Sequence, residues 1–357
     1  MEISSKKQEN TILTNKKTKM FWGIVFFCIA FLSIVSVVSF NKNFSVSLFV
    51  SFLKSANLLW LFCAIFCVFF FIFFEGLSLR YIYSSFGYKG KKSSSFVYSA
   101  ADIYFSAITP SASGGQPASA YFMLKDGISL PVVTISLLYT LLMYSLSIVV
   151  VVILSLLFSP SLFFSLNFLT KIIICVGFFI QFGLLCFFYF LLYKDKLLYR
   201  ICAFFLKLLS KLHLVHSLDV KEQKLSEVMA KYQEAALMVK GKKKVLVQVF
   251  FCNLFQRLSQ IGVIVFVFLA TSGNFKEALS IFVLQSFVII GAYAAPIPGA
   301  IGVTDYLMLQ GFGTIMSSET AVYLELLSRG LSFYLCVFIC GLVIAVRYFS
   351  LKRSREK

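Results

Sequence analysis

The chain has 357 residues, of which 59% are hydrophobic, 17% aromatic and only 13% charged, against roughly 25% charged in a soluble domain. That balance excludes a soluble globular enzyme and implies an integral membrane protein. The net charge of +18 does not indicate nucleic acid, which needs a basic face on a polar domain; here the cations lie between apolar runs, where anionic lipid is the partner.

Residues 1–20 are polar, hold five lysines and lack the cleavage pattern of a signal peptide, which predicts a basic cytoplasmic tail. Phe21–Phe40 is the first run long enough to span, since about 20 helical residues cover a hydrocarbon core about 30 Å thick. Leu58–Phe74 is the second. Only Lys42 and Lys54 lie between them, whereas Arg80, Lys89, Lys91 and Lys92 follow the second run, so positive-inside bias puts that later segment in the cytoplasm. Glu75 and Arg80 are expected at this interface, where long side chains snorkel to water.

The next apolar stretch is broken by ITPSASGGQPASAY, Ile108–Tyr121. A helix from Val97 to Ala112 rises only about 24 Å at about 1.5 Å per residue, short of a crossing, before Pro110 and the SASGG tip stop it. Pro117 suits the first turn of a return helix to Leu124, with Lys125 and Asp126 as its polar end. This spacing predicts a re-entrant hairpin opening to the cytoplasm.

Pro131–Phe158 and Phe168–Tyr193 are the next spans, joined by the uncharged SPSLFFSLN on the outer side. Lys194–Lys244 carries twelve Lys or Arg against five Asp or Glu, which fixes it inside. Leu197, Leu198, Ile201, Phe204, Phe205, Leu208 and Leu209 recur there at helical spacing opposite Arg200, Lys207 and Lys211, the pattern of a helix lying in the interface. Asp219 with Glu222 marks a second helix start, and His213 with His216 reads as surface histidines rather than a metal site.

Val245–Ala270 crosses outward with Gln248, Asn253, Gln256, Arg257, Ser259 and Gln260 embedded in it, and these should face protein or water. After TSGNFKE, Ala278–Ala295 runs into a second break, AAPIPGAIGVTD, Ala294–Asp305, followed by Gly302–Met316. This predicts a second hairpin, opening outward. The last span, Ala321–Val346, returns inside and ends in a basic tail at 347–357.

The expected fold is an all-α polytopic membrane protein with about six full transmembrane helices and two re-entrant helical hairpins in an inverted repeat. One transmembrane domain, 21–346, includes the basic amphipathic segment 194–244. The expected location is the plasma membrane, with both termini cytoplasmic. In transporters built from inverted repeats the substrate binds near the midplane, where broken helices of the two halves meet.

The candidate site follows from that geometry. Helix N-termini near Pro117 and Gly302 present partial positive charge to an anionic group such as a lipid phosphate. Gly114, Gly115, Gly299 and Gly302 allow unusual backbone angles and close approach. Thr109, Pro110, Ser111, Ser113, Gln116 and Pro298 complete the tips. The competing reading is that small residues simply let helices pack. Arg257 and Arg329 are the deepest cations, and Asp102, Asp305 and Glu325 the corresponding acids; Glu325 and Arg329 stand four apart and can pair on one helix face. A structural salt bridge is the alternative to a functional cavity. The nine cysteines, which lie in or beside apolar segments, read as packing residues rather than disulfides or metal ligands. No nucleophile, base and orienting group assemble from these residues, so no catalytic residue, metal or cofactor is expected.

At these residues the sequence is similar to a known family. Ile108–Ser129 and Ala295–Met308 resemble the two signature regions of the lysylphosphatidylglycerol synthase transmembrane, or flippase-like, family, the membrane part of the multiple peptide resistance factor. The likeness runs from about residue 20 to 350. It implies a multi-pass membrane protein that moves a modified lipid such as lysyl-phosphatidylglycerol between leaflets, or assists its synthesis, and so resists cationic peptides. Relatives with a cytoplasmic domain act as phosphatidylglycerol lysyltransferases. Two positions depart from the family pattern: Ala300 replaces a second glycine after PG, and Asp305 replaces glutamate. The chain continues only about ten residues past its last span, and 194–244 is shorter than an ordinary domain. The expectation is therefore the membrane half alone. Membrane phospholipids are its partners, with no nucleic-acid binding by this chain, a separate aminoacyl-transferase as a further partner, and an oligomer open.

Overall fold

In a computed structural model, the described residues are 46–193 except Lys91, 241–355 except Gly273, and a few positions between 200 and 239. The expected tail at 1–20, the span Phe21–Phe40, the interfacial helix at 197–209, the start at Asp219 and both histidines lie outside them. Every regular element among the described residues is helical: α1 (Val46–Lys54), α2 (Leu58–Ser84), α3 (Lys92–Ile108), α4 (Gly115–Lys125), α5 (Leu130–Phe158), α6 (Pro160–Ser165), α7 (Phe168–Tyr193), α8 (Lys243–Ser272), α9 (Phe275–Ala292), α10 (Val303–Phe312), α11 (Ser318–Arg329) and α12 (Cys336–Arg355). The chain is an all-α multi-pass membrane protein.

Among the described residues, six stretches are long and apolar enough to cross a bilayer: Leu58–Ser84, Leu130–Phe158, Phe168–Tyr193, Lys243–Thr271, Phe275–Ala292 and Ser318–Leu351. Five coincide with expected spans. The sixth, Phe275–Ala292, is the leading limb of the second expected hairpin; its 18 residues rise about 27 Å. The last stretch is interrupted by a π-helical segment, Gly330–Leu335, between α11 and α12.

The helices start and stop where local chemistry dictates. Asn57 caps α2 by accepting from the Leu59 N–H at 2.9 Å, and Asn274 caps α9 through the Lys276 N–H at 3.1 Å. Pro131 and Pro160 sit in the first turns of α5 and α6, where a missing N–H costs nothing. The Asp126 carboxylate at the end of α4 accepts from the Tyr98 hydroxyl at 2.6 Å and pairs with Arg347, tying the return limb of the first hairpin to α3 and α12.

Lipid is as apolar as leucine, so packing and interhelical hydrogen bonds must hold such helices together. A Cβ on Gly76 would come within 2.6 Å of the Ser95 carbonyl oxygen, and one on Gly177 within 2.1 Å of the Ile290 carbonyl oxygen, so glycine sets the α2–α3 and α7–α9 crossings. Where α2, α5 and α8 meet, the Asn253 amide donates to Ser78 Oγ at 2.9 Å, and Ser78 lies 3.3 Å from the Thr140 hydroxyl. The core of Ile72, Ile148, Ile261, Val267, Leu284, Ile290 and Phe312 lies along these contacts. Aromatic and aliphatic side chains such as Phe66, Phe179, Phe182 and Phe338 point outward, as a lipid-facing surface requires.

Candidate functional site

Both breaks are non-helical at the expected residues, and they touch each other. At the first, Pro110–Ala112 forms a single 3₁₀ turn in which Ser111 and Ala112 have φ of 52° and 54°. At the second, Pro298–Ala300 forms another, with Gly299 at φ 61°, Ala300 at 48° and Gly302 at 83°. Ser111, Ala112 and Ala300 are the non-glycine residues of positive φ among the described residues. Such conformers cost about 1–3 kcal/mol each and persist where surrounding structure holds them, typically at functional sites.

The first tip is locked from within. Thr109 Oγ1 accepts from the Gly114 N–H at 2.9 Å and donates to the Phe105 carbonyl at 2.6 Å. A Cβ on Gly115 would lie 2.0 Å from Asp102 Oδ1 and 2.1 Å from Ser106 Oγ, so the return helix starts directly against the Asp102 carboxylate. Ser106 donates to Asp102 at 3.1 Å, and Gln116 donates to the other Asp102 oxygen. Ser111 and Ser113 are exposed at the tip.

The second tip is locked by charge. Asp305 Oδ2 accepts from the Gly302 N–H at 2.9 Å and so caps the start of α10, while Oδ1 pairs with Arg329 Nε at 2.8 Å. The Arg329 guanidinium lies 4.9 Å from the Phe333 ring, and that ring occupies the space a Cβ on Gly299 would need, 2.6 Å away. Phe333 belongs to the π-helical segment, whose wider turn is a feature enriched at functional sites. The expected Glu325–Arg329 pair is replaced by Asp305–Arg329, because Asp305 is held at the N-terminus of α10 within reach of Arg329. Glu325, one turn before Arg329 on α11, is 1% exposed.

Between the tips runs a chain of buried polar groups. Glu75, expected at the interface, is instead only 7% exposed: α2 continues ten residues past Phe74 to Ser84 and turns Glu75 inward. Its Oε2 accepts from Gln256 Nε2 at 2.7 Å. Next to Gln256, Arg257 is 1% exposed near the middle of the 30-residue α8. Its Nη1 donates to Gln260 Oε1 at 2.5 Å and to the Tyr144 hydroxyl at 3.1 Å, and its guanidinium lies 4.0 Å from the Tyr144 ring centroid and 5.3 Å from that of Phe71. The Tyr144 hydroxyl is hydrogen-bonded to that of Tyr293, the C-cap of α9 leading into the second break. Arg257 Nε and Nη2 have no partner, and no carboxylate pairs with Arg257 among the described residues.

Of the residues singled out by sequence, Gly114, Gly115 and Gln116 cluster with Asp102 at the first tip, and Gly299, Gly302, Asp305, Glu325 and Arg329 cluster at the second. Arg257 joins them through Tyr144 and Tyr293. Sequence reasoning missed Glu75, Tyr144 and Tyr293 as network members. The helix-forming run GLSLRYIYS after Glu75 is the signal that extends α2; single phenols in apolar helices leave none.

Arg257 brings positive charge and free donors to mid-membrane depth, the chemistry that receives a phosphate or carboxylate. No match was found among curated proteins or solved structures. The model of the lysylphosphatidylglycerol synthase TM region family matches residues 20–340, both breaks included, and the chain belongs to that family.

Proposed function

We propose that this chain is a lipid translocase of the plasma membrane that moves a phospholipid, lysyl-phosphatidylglycerol or a related anionic-phosphate lipid, between leaflets. The observation that carries this reading is the Arg257 guanidinium, buried mid-helix with Nε and Nη2 unpartnered and linked by hydrogen bonds through Tyr144 and Tyr293 toward the second break. Leaving a cation buried and uncompensated costs several kcal/mol, which an arriving phosphodiester offsets. The headgroup enters between the tips while its acyl chains stay in the bilayer. Exposure of a cationic lipid on the outer leaflet lowers surface negative charge and gives resistance to cationic peptides.

Reconstitution into liposomes with labelled lysyl-phosphatidylglycerol, phosphatidylglycerol and polyprenyl-phosphate tracers tests this. Accelerated leaflet exchange of at least one tracer is expected; unaccelerated exchange of all three contradicts it. The family description, which names a synthase, favours a second reading: a membrane subunit serving a separate phosphatidylglycerol lysyltransferase. Lysine transfer from charged transfer RNA to phosphatidylglycerol that requires this chain, without leaflet exchange, would support that reading instead.

A further inference from the structure

Asn253, Gln256, Arg257 and Gln260 of α8 stand three and four residues apart, so they share one face of the helix. The first three are at most 1% exposed. Their face fills the seam between α2 and α5. Asn253 Nδ2 donates at 2.9 Å to Ser78 Oγ of α2, which lies 3.3 Å from the Thr140 hydroxyl of α5. One turn further along, the Arg257 guanidinium lies between Phe71 of α2 and Tyr144 of α5, 5.3 and 4.0 Å from their ring centroids. The amide nitrogens on this face are committed: Asn253 Nδ2 also donates to the Val249 carbonyl at 2.8 Å, and Gln256 Nε2 donates to Glu75 Oε2 at 2.7 Å. Carbonyl and carboxylate oxygens accept, which fixes each amide nitrogen toward its partner and turns each amide oxygen away from it. What remains is one set of each kind: Asn253 Oδ1 and Gln256 Oε1 are unpartnered acceptors, and Arg257 Nε and Nη2 are unpartnered donors.

We infer that Asn253 and Gln256 determine headgroup specificity: they accept from an O–H or N–H of the headgroup whose phosphate lies on Arg257, so the site selects phospholipids with a donor-bearing headgroup over phosphodiesters that lack one. This rests on the translocase reading, which puts the phosphate on Arg257. A phosphodiester offers only acceptors, so it satisfies the guanidinium and leaves both amide oxygens unpaired. A buried acceptor without a partner is costly, and the ligand that removes that cost brings its own donor a few bonds from the phosphorus. Glycerol hydroxyls and primary ammonium groups meet this requirement; a methyl ester and a quaternary ammonium do not. Both carboxamides are neutral, so what they read is the presence of a donor rather than the charge of the headgroup. A site built to hydrogen-bond a ligand's O–H or N–H rejects the analogue without it far more strongly than an apolar pocket rejects a change of size.

The test uses the full-length protein and two pairs of lipids matched in charge. Binding isotherms in detergent compare phosphatidylglycerol with phosphatidylmethanol, whose headgroup has no donor, and phosphatidylethanolamine with phosphatidylcholine, whose quaternary ammonium has none. The first pair reads hydroxyls and the second reads ammonium. In the wild type the donor-bearing member of at least one pair should bind about tenfold more tightly, as one hydrogen bond to an otherwise unpaired acceptor provides. Gln256→Leu, which accepts nothing, should bring that ratio to within about twofold while affinity for the donorless lipid holds. Equal loss for both members of the pair would mark a structural role and overturn the assignment of Gln256. Equal affinities in both wild-type pairs would mean that water alone serves the amide oxygens, and would overturn the selectivity; accelerated leaflet exchange of phosphatidylglycerol in the same preparation would then leave the translocase reading standing. Absence of exchange for every tracer overturns both.

Discussion

Arg257 is buried on α8 with no carboxylate in ion-pair contact among the described residues, held by the Tyr144 hydroxyl and Gln260. Its planar donor fork and its stacking on Tyr144 are properties a lysine ammonium lacks. Arg257→Lys should therefore weaken binding of a phosphate-bearing lipid by about ten- to a hundredfold, the equivalent of losing one charge-assisted hydrogen bond of about 1.5–3 kcal/mol, as read from lipid-binding isotherms in detergent. An unchanged isotherm would remove Arg257 from the site. Gly115 leads to a different expectation. Because a Cβ there would lie 2.0 Å from Asp102 Oδ1, Gly115→Ala should lower the unfolding free energy by about 1–3 kcal/mol, seen as a reduced midpoint in thermal denaturation. Ala300 runs the other way: it holds φ at 48°, a conformation costing an L-residue about 1–2 kcal/mol, so Ala300→Gly should raise the midpoint.

At the scale of elements, the two hairpins owe their shape to different forces. Hydrogen bonds of Thr109 and close packing of Gly115 set the first turn, whereas the carboxylate of Asp305 sets the second by joining the Gly302 N–H to Arg329. Removing one partner of a buried pair leaves the other charge uncompensated, so Asp305→Asn should destabilise by about 3–5 kcal/mol, and pairing it with Arg329→Met should recover most of that loss. Equal stability of the single and double variants would mean that the pair holds nothing in place. The breaks were legible from proline and glycine alone, because those residues act on the local backbone. The pairing of Arg329 with Asp305 was not, since helical spacing sees Glu325 four residues away but cannot see α10 arriving from elsewhere. Glu75 was misplaced for a related reason: the apolar run stops at Phe74, but the helix does not.

For the whole molecule, composition and the lengths of apolar runs were enough to establish a multi-pass helical protein, and of the six membrane-length stretches among the described residues five matched expected spans, while the sixth was expected as a hairpin limb. The meeting of the two tips is a tertiary fact that the inverted arrangement anticipated and the fold displays. If the hairpins open to opposite sides, single cysteines at Ser113 and at Ile297, both exposed, should react with impermeant maleimide from the cytoplasmic and outer faces respectively; labelling of both from one face contradicts that topology. The central claim, that a buried Arg257 between two broken helices carries a lipid phosphate across the membrane, is tested most directly by leaflet exchange of labelled phospholipid in proteoliposomes of wild type and Arg257→Gln. Exchange well above protein-free liposomes that falls at least tenfold in folded Arg257→Gln protein is the result this account predicts. Exchange that survives the substitution intact, or that never rises above the protein-free rate, would contradict it.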